Sequence, residues 1–133
     1  MKIFLGICTI FISVVFINID QDKALEESMK RGSETYQDFC VSCHMPNGEG
    51  VTGAFPPLAK SDYLMNKRTE SIKGIKFGVQ GEMVVNGKKY FGAMTPLGLG
   101  DDEIADVMNY ITNSWGNKNN KMVTEIEVSE VKK

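Results

Sequence analysis

Cys40-Val41-Ser42-Cys43-His44 sets two thiols three positions apart and an imidazole directly after the second. That C-x-x-C-H spacing is the attachment signature of a c-type haem. A single helical turn presents both sulfurs to one edge of a porphyrin, for thioether bonds to its vinyl groups. The adjacent imidazole then reaches under the ring to the iron. His44 is the one histidine in the chain, which argues against a second histidine ligand and against a histidine-based catalytic site. Other uses of the cysteine pair fare worse. A zinc site needs two further Cys or His ligands, and only Cys8 remains, inside an apolar leader. A thioredoxin-like pair belongs near a βαβ pattern, and none is visible.

Working outward, 133 residues hold one domain with something at each end. Ile3 to Ile19 is apolar except for Thr9, Ser13 and Asn18, and follows a lone Lys2. Residues 1–20 therefore read as a signal peptide or an N-terminal membrane anchor. The run is long for a signal core and marginal for a span, and a cleaved signal is the favoured reading. Export suits the motif, because covalent haem attachment on C-x-x-C-H takes place outside the cytoplasm in bacteria. The expected location is the periplasm or the extracytoplasmic face of the membrane. The mature domain, 21–117, keeps only Cys40 and Cys43, both consumed by haem, so no disulfide is expected. A net charge of −2 speaks against nucleic acid as a partner. A mature chain of roughly 110 residues is small for a self-sufficient core, and covalent haem supplies apolar volume.

Hydropathy places the elements around the motif. Leu25, Met29, Gly32, Tyr36 and Phe39 recur at helical spacing and predict an amphipathic helix over Lys23 to Phe39. Gly32 in that stripe costs about 1 kcal/mol relative to Ala, which close approach of a second helix would offset; the alternative is a helix that starts after Gly32. Met45 to Ala59 is a loop punctuated by Gly and Pro, whose Val51, Phe55 and Leu58 are expected against the haem edge. Ser61 caps a short helix over Asp62 to Met65, and a further helix runs from about Thr69 to Phe77, stopped by Gly78. Asn86-Gly87 marks a hairpin within Met83 to Tyr90. Phe91 to Gly100 reads as another Gly/Pro loop. Asp101 to Trp115 is the clearest helix, with Ile104, Val107, Met108, Ile111 and Trp115 on one face. Residues 118–133 form a polar C-terminal tail with a possible short helix from Thr124.

Haem iron in electron carriers is held by His on one side and Met on the other. Such a Met must come from a loop that wraps to the distal face. Met29 and Met108 fall on helix stripes, Met45 adjoins His44, Met122 lies in the tail and Met65 in a short helix. Met94, in Gly92-Ala93-Met94-Thr95-Pro96, is the preferred ligand. Met83 and an open distal face are the alternatives.

With these pieces in place, the chain resembles the small monohaem class I cytochromes c of bacteria. Similar domains are fused to nitrite reductases, sugar dehydrogenases and terminal oxidases. The likeness covers about Arg31 to Asn117. It rests on Gly32-x-x-x-Tyr36, the haem motif, Gly48-x-Gly50, Phe55-Pro56-Pro57-Leu58, Val85-Asn86-Gly87-x-x-Tyr90, Met94, Ile104 to Ile111 and Ser114-Trp115-Gly116-Asn117. One departure is Thr95, where many members carry Pro directly after the ligand Met. The resemblance implies an all-α fold, a haem-centred bundle of three to five helices with Gly/Pro-rich loops and a small hairpin. It further implies that the Gly32/Tyr36 face crosses the last helix near Val107 and Tyr110. In such a fold the Pro56 carbonyl accepts the His44 Nδ1–H and Leu58 lines the haem pocket.

The function expected is one-electron transfer by a covalently bound haem c with His44 and Met94 as iron ligands, with no catalysis of its own. Partners would be redox proteins: a donor dehydrogenase or cytochrome complex, and an acceptor oxidase or reductase. The membrane would be met only through the N-terminal segment, if it is uncleaved. Lys88 and Lys89 are candidates for steering an acidic partner, or plain solvated lysines. The competing class is a haem enzyme such as a peroxidase, or a gas sensor. Either needs an open or labile distal site.

Overall fold

The computed structural model describes residues 3–133, with side chains from Asp20 onward. The leader or anchor expected over 1–20 falls almost wholly outside the described side chains. Six helices and one two-stranded sheet follow in the order α1 (Ile3–Phe39), α2 (Val41–His44), α3 (Asp62–Asn66), α4 (Arg68–Phe77), β1 (Val79–Val85), β2 (Lys88–Met94), α5 (Asp101–Ile111) and α6 (Glu125–Glu130). The count exceeds the expected three to five because the haem motif forms its own single turn and the tail contributes α6.

The α1–α5 crossing is the frame. Gly32 is buried in it, and a Cβ there would overlap the Asp106 carbonyl oxygen and crowd Tyr110 Cβ. The absent side chain is what lets the two backbones touch. The buried stripe of α1 is Ser28, Gly32 and Tyr36 at intervals of four, whereas Phe39 at the end of the expected stripe is 44% exposed. Ser28 has a polar role: its hydroxyl donates to Asp106 Oδ1 (2.6 Å) and accepts from Asn109 Nδ2 (2.9 Å). Arg31 completes the crossing with a two-point pair to the same Asp106 carboxylate, a bond that raises the guanidinium pKa further. Apolar Ile104, Val107, Met108 and Ile111 fill the core beneath.

Helix α5 ends at Ile111, four residues before the expected Trp115. The polar run after it explains the stop. Thr112 Oγ1, Asn113 Nδ2 and Ser114 Oγ each donate to the carbonyl four residues back, at 2.6, 2.9 and 2.7 Å. Side chains thus satisfy the last carbonyls of the helix, and no further turn is needed. At the other end Gly100 N–H donates to Glu103 Oε2 (2.8 Å), and three acids sit in the first turn, where the helix dipole favours them.

The tail is a docked element. Val123, Val128 and Val131 belong to the core. Asn109 clamps the backbone of Val123 in both directions, with Nδ2 donating to its carbonyl (2.9 Å) and Oδ1 accepting from its N–H (2.7 Å). Thr124 caps α6 as its side chain accepts from Glu127 N–H. Arg68 at the start of α4 forms a two-point pair with Glu127 at 2.5 and 2.6 Å and also donates to the carbonyls of Lys121 and Met122. Lys76 at the other end of α4 reaches the Val128 carbonyl and Asp101. The polar composition of 118–133 therefore serves contacts to α4 and α5.

Candidate haem site

The attachment motif folds as the spacing requires. Cys40 accepts from the His44 amide at 2.9 Å and the Cys43 amide at 3.2 Å, which closes one helical turn. Both thiols are free of disulfide bonds and partly buried. Burial, with Cys43 adjacent, pushes the Cys40 thiol up to about 11, so it is held protonated at neutral pH. His44 Nδ1 lies 2.9 Å from the Pro56 carbonyl oxygen. That carbonyl can only accept, so Nδ1 carries the proton and the lone pair is left on Nε2. Burial lowers the imidazole pKa, outweighing the opposing contact with Pro56. The ring is thus in the neutral form a metal requires.

The loop after His44 is tied back on itself. Gly50 N–H donates to the His44 carbonyl (3.0 Å), and the amides of Leu58 and Ala59 donate to the Gly48 carbonyl (2.7 and 2.9 Å). Gly48 and Gly50 take φ of +64° and +63°, where a side chain is strained. A Cβ on Gly48 would also strike the Trp115 ring. Trp115 packs at a tilt on Tyr36 and edge-on against Tyr110, at centroid distances of 5.1 and 5.5 Å. The Tyr36 hydroxyl in turn donates to the Met45 carbonyl. Asn117 pins the far end of the loop by donating to the carbonyls of Leu58 and Ile111 and accepting from Lys60 N–H. Val51 departs from the expectation: it pairs with Phe55 as an isolated bridge, and of Val51, Phe55 and Leu58 it alone does not line the cleft.

The opposite wall is the hairpin, and it is longer than the sequence reading. β1 begins at Val79, and β2 runs through Met94, which pairs with Val79. Met94 thus closes a strand instead of sitting in mid-loop. Strand pairing puts Val79, Gly81, Met83 and Val85 on the same face as Tyr90, Gly92 and Met94. The alternation with Gln80 and Glu82 was the signal that could have placed the strand start. Gly78 after α4 lies against this end of the hairpin, where a Cβ would meet the Met94 carbonyl oxygen at 2.6 Å.

These walls enclose one cleft, with about 1150 Å³ of atom-free space including its open mouth. Cys40, Cys43, His44, Pro56, Leu58 and Met94 all line it. So do residues that the sequence reading missed: Ser71, Gly74 and Ile75 of α4, and most of the inward hairpin face. A flat, largely apolar group fits this cleft. Gly81 and Gly92 pair across the ladder and both line it, and a Cβ on either would meet no protein atom within 4 Å. Two thiols, an imidazole and two thioethers are its soft and nitrogen donors, and most of the remaining lining is hydrocarbon. That set suits a covalently tethered haem.

Comparison with known proteins agrees. The sequence model of the family described as Cytochrome c matches residues 29–115. The chain belongs to the cytochrome c family. Cytochrome c-552 of Thermus thermophilus is 40% identical over 108 residues, spanning 77% of this chain and 82% of that protein. The cytochrome c subunit of alcohol dehydrogenase (quinone) from Gluconacetobacter polyoxogenes is 31% identical over 76% of this chain but only 22% of its own length. The gluconate 2-dehydrogenase cytochrome c subunit of Pantoea cypripedii is 30% identical over 90% of this chain and 28% of its own. This cytochrome c is an electron carrier and not an enzyme; it binds haem c covalently through Cys40 and Cys43 and works with redox partners. The bound haem supplies the Fe(II)/Fe(III) couple.

Proposed function

We propose that this cytochrome c passes single electrons between extracytoplasmic redox proteins, with His44 and Met94 as the two iron ligands. The observation that supports it is a single cleft lined at once by both thiols, the one histidine and Met94. His44 arrives from α2, its ring oriented by Pro56, and Met94 from the end of β2, its backbone against Gly78. A neutral soft thioether favours the reduced state, and a largely apolar lining acts in the same direction. Held by His44 on one side and Met94 on the other, the iron would offer no open position to a substrate.

Met83 lines the same cleft on the same hairpin face, which makes it the alternative ligand. Carbon monoxide added to the reduced holoprotein separates the two. The unmutated protein is expected to keep its spectrum, Met94→Ala to bind the gas and Met83→Ala to stay closed. The reverse pattern would transfer the assignment to Met83, and gas binding by the unmutated protein would remove the closed-site reading.

The donor we propose is a dehydrogenase, as two of the relatives are dehydrogenase cytochrome subunits, and the acceptor is a terminal oxidase or reductase. Lys89 is engaged with Glu82 at 3.1 Å, so steering of an acidic partner falls to exposed Lys88. Among the described residues no helix is long and apolar enough to cross a membrane. Residues 1–20 serve as signal or anchor, and the mass of the purified holoprotein distinguishes cleavage from retention.

A further inference from the structure

The two deeply buried tyrosines are used differently. Tyr36 is fully buried and donates its hydroxyl to the Met45 carbonyl at 2.7 Å. Tyr90 is 5% exposed, and its hydroxyl has no partner among the described residues. Buried hydroxyls are almost always paired. Among the described residues, Ser71 Oγ is the one polar side-chain atom that is both unpaired and sealed off by protein. The unpaired Tyr90 oxygen therefore keeps some accessible surface. Tyr90 stands on the inward face of β2 and lines the haem cleft, and the cleft is what that oxygen opens on.

We infer that the Tyr90 hydroxyl donates to a haem carboxylate and that Tyr90 is a positioning residue of the electron-transfer site. The inference rests on the carrier reading above. The periphery of a haem is hydrocarbon apart from its two carboxylates, so these are its strong acceptors. Vinyl groups and carboxylates occupy opposite edges of the ring, so thioethers at Cys40 and Cys43 send the carboxylates away from the attachment motif. The hydroxyls of the lining stand there: Ser61, Tyr63, Ser71 and Tyr90 all line the cleft, while the Cys40–Leu58 stretch brings none. The paired Asp62 and Asn86 fasten the start of α3 to the hairpin turn, which puts Tyr90 near that end of the ladder. The Met94 thioether is the competing acceptor. It sits four residues farther along β2 and closes the ladder against Val79, about 13 Å away along the strand. Tyr63 is the competing donor. It is only half-buried, and burial followed by the neighbouring Glu70 charge raises its pKa. A carboxylate beside Tyr63 would meet that like charge.

The test uses the reduced, diamagnetic holoprotein. The Tyr90 hydroxyl proton should exchange slowly and show a nuclear Overhauser contact to the methylene protons of a haem carboxylate arm. Tyr90→Phe keeps the ring and its packing and should remove that signal. A donor disperses the carboxylate charge that otherwise favours Fe(III). Tyr90→Phe should therefore shift the Fe(III)/Fe(II) ratio at fixed potential about threefold toward Fe(III), or roughly 30 mV at 59 mV per tenfold. Three results overturn the inference: a contact from the hydroxyl to a methionine methyl group, a freely exchanging hydroxyl with no haem contact, or an unchanged ratio in Tyr90→Phe. A high-spin spectrum in the unmutated protein would instead remove the carrier reading, and this assignment with it.

Discussion

The two walls of the haem cleft are braced by different parts of the chain. The Cys40–Leu58 wall comes from one contiguous stretch. Its turn, its tight loop and the His44–Pro56 contact close within eighteen residues or fewer, and Trp115 and Asn117 brace it from behind. The α4–hairpin wall stands on its own strand ladder and on Ile72 in the core. Its outer supports are Arg68 and Lys76 reaching the tail, and its inner ones are Asp62 bonded to Asn86 and Gly78 seated on Met94. Both walls are contiguous stretches, the first braced by the end of α5 and the second by the tail. Covalent attachment thus belongs to the wall that the end of α5 braces, and distal ligation to the wall that the tail braces.

Removing residues 118–133 tests this contrast most severely. It uncovers the core around Val123, Val128 and Val131 and frees Arg68 and Lys76. A loss of about 3 kcal/mol is expected in denaturant unfolding, the scale of burying one to two aliphatic side chains. The truncated protein should still stain for covalent haem on a denaturing gel, yet gain carbon monoxide binding as the Met94 side loosens. If gas binding stays absent, the hairpin wall stands without the tail and the contrast fails.

A smaller effect is expected on the attachment wall. Gly48→Ala combines a positive φ with a collision against the Trp115 ring, and should cost about 2 kcal/mol in thermal or denaturant unfolding. The spectrum should remain low-spin and closed to gas, because the strain falls behind His44 rather than at the distal ligand. An opened distal site in this variant would mean the walls are coupled.

The smallest effect sharpens the picture of the tail clamp. Arg68 holds the Glu127 carboxyl below its ordinary value of 4.5. A carboxyl depressed in the folded state contributes stability that is present above its unfolded value and lost as pH falls through its folded one. Glu127→Gln should therefore cost about 1 kcal/mol at pH 7, given a half-buried two-point pair. The gap from the unmutated protein should close as pH drops below 4.5. Amide exchange in 121–130 reads the same change locally, and a gap that persists in acid would assign the stability to packing instead of charge.

Much of this molecule was legible in its residues. The attachment turn, the Gly32/Tyr36 crossing, the Ser61 cap and the Asn86-Gly87 hairpin stand in the structure, and Cys40, Cys43, His44, Pro56, Leu58 and Met94 line one cleft. Two expectations fail. Helix α5 stops short of Trp115 because Thr112, Asn113 and Ser114 bond backward, which a hydropathy stripe does not register. Val51 stays off the cleft although Phe55, its partner in the same bridge, lines it.

By itself the sequence determined what is covalent and what is periodic. Two thiols and an imidazole within one helical turn settle the haem attachment, and recurring apolar positions mark the helix stripes. Only the tertiary structure decided that Met83 shares the cleft with Met94 and that the tail braces its wall. Bond geometry and helical period act over a few residues and leave a pattern in the chain. Hydrogen bonds such as Arg68 to Glu127 or Asn109 to Val123 join residues with no common local pattern, and only the folded packing brings them together.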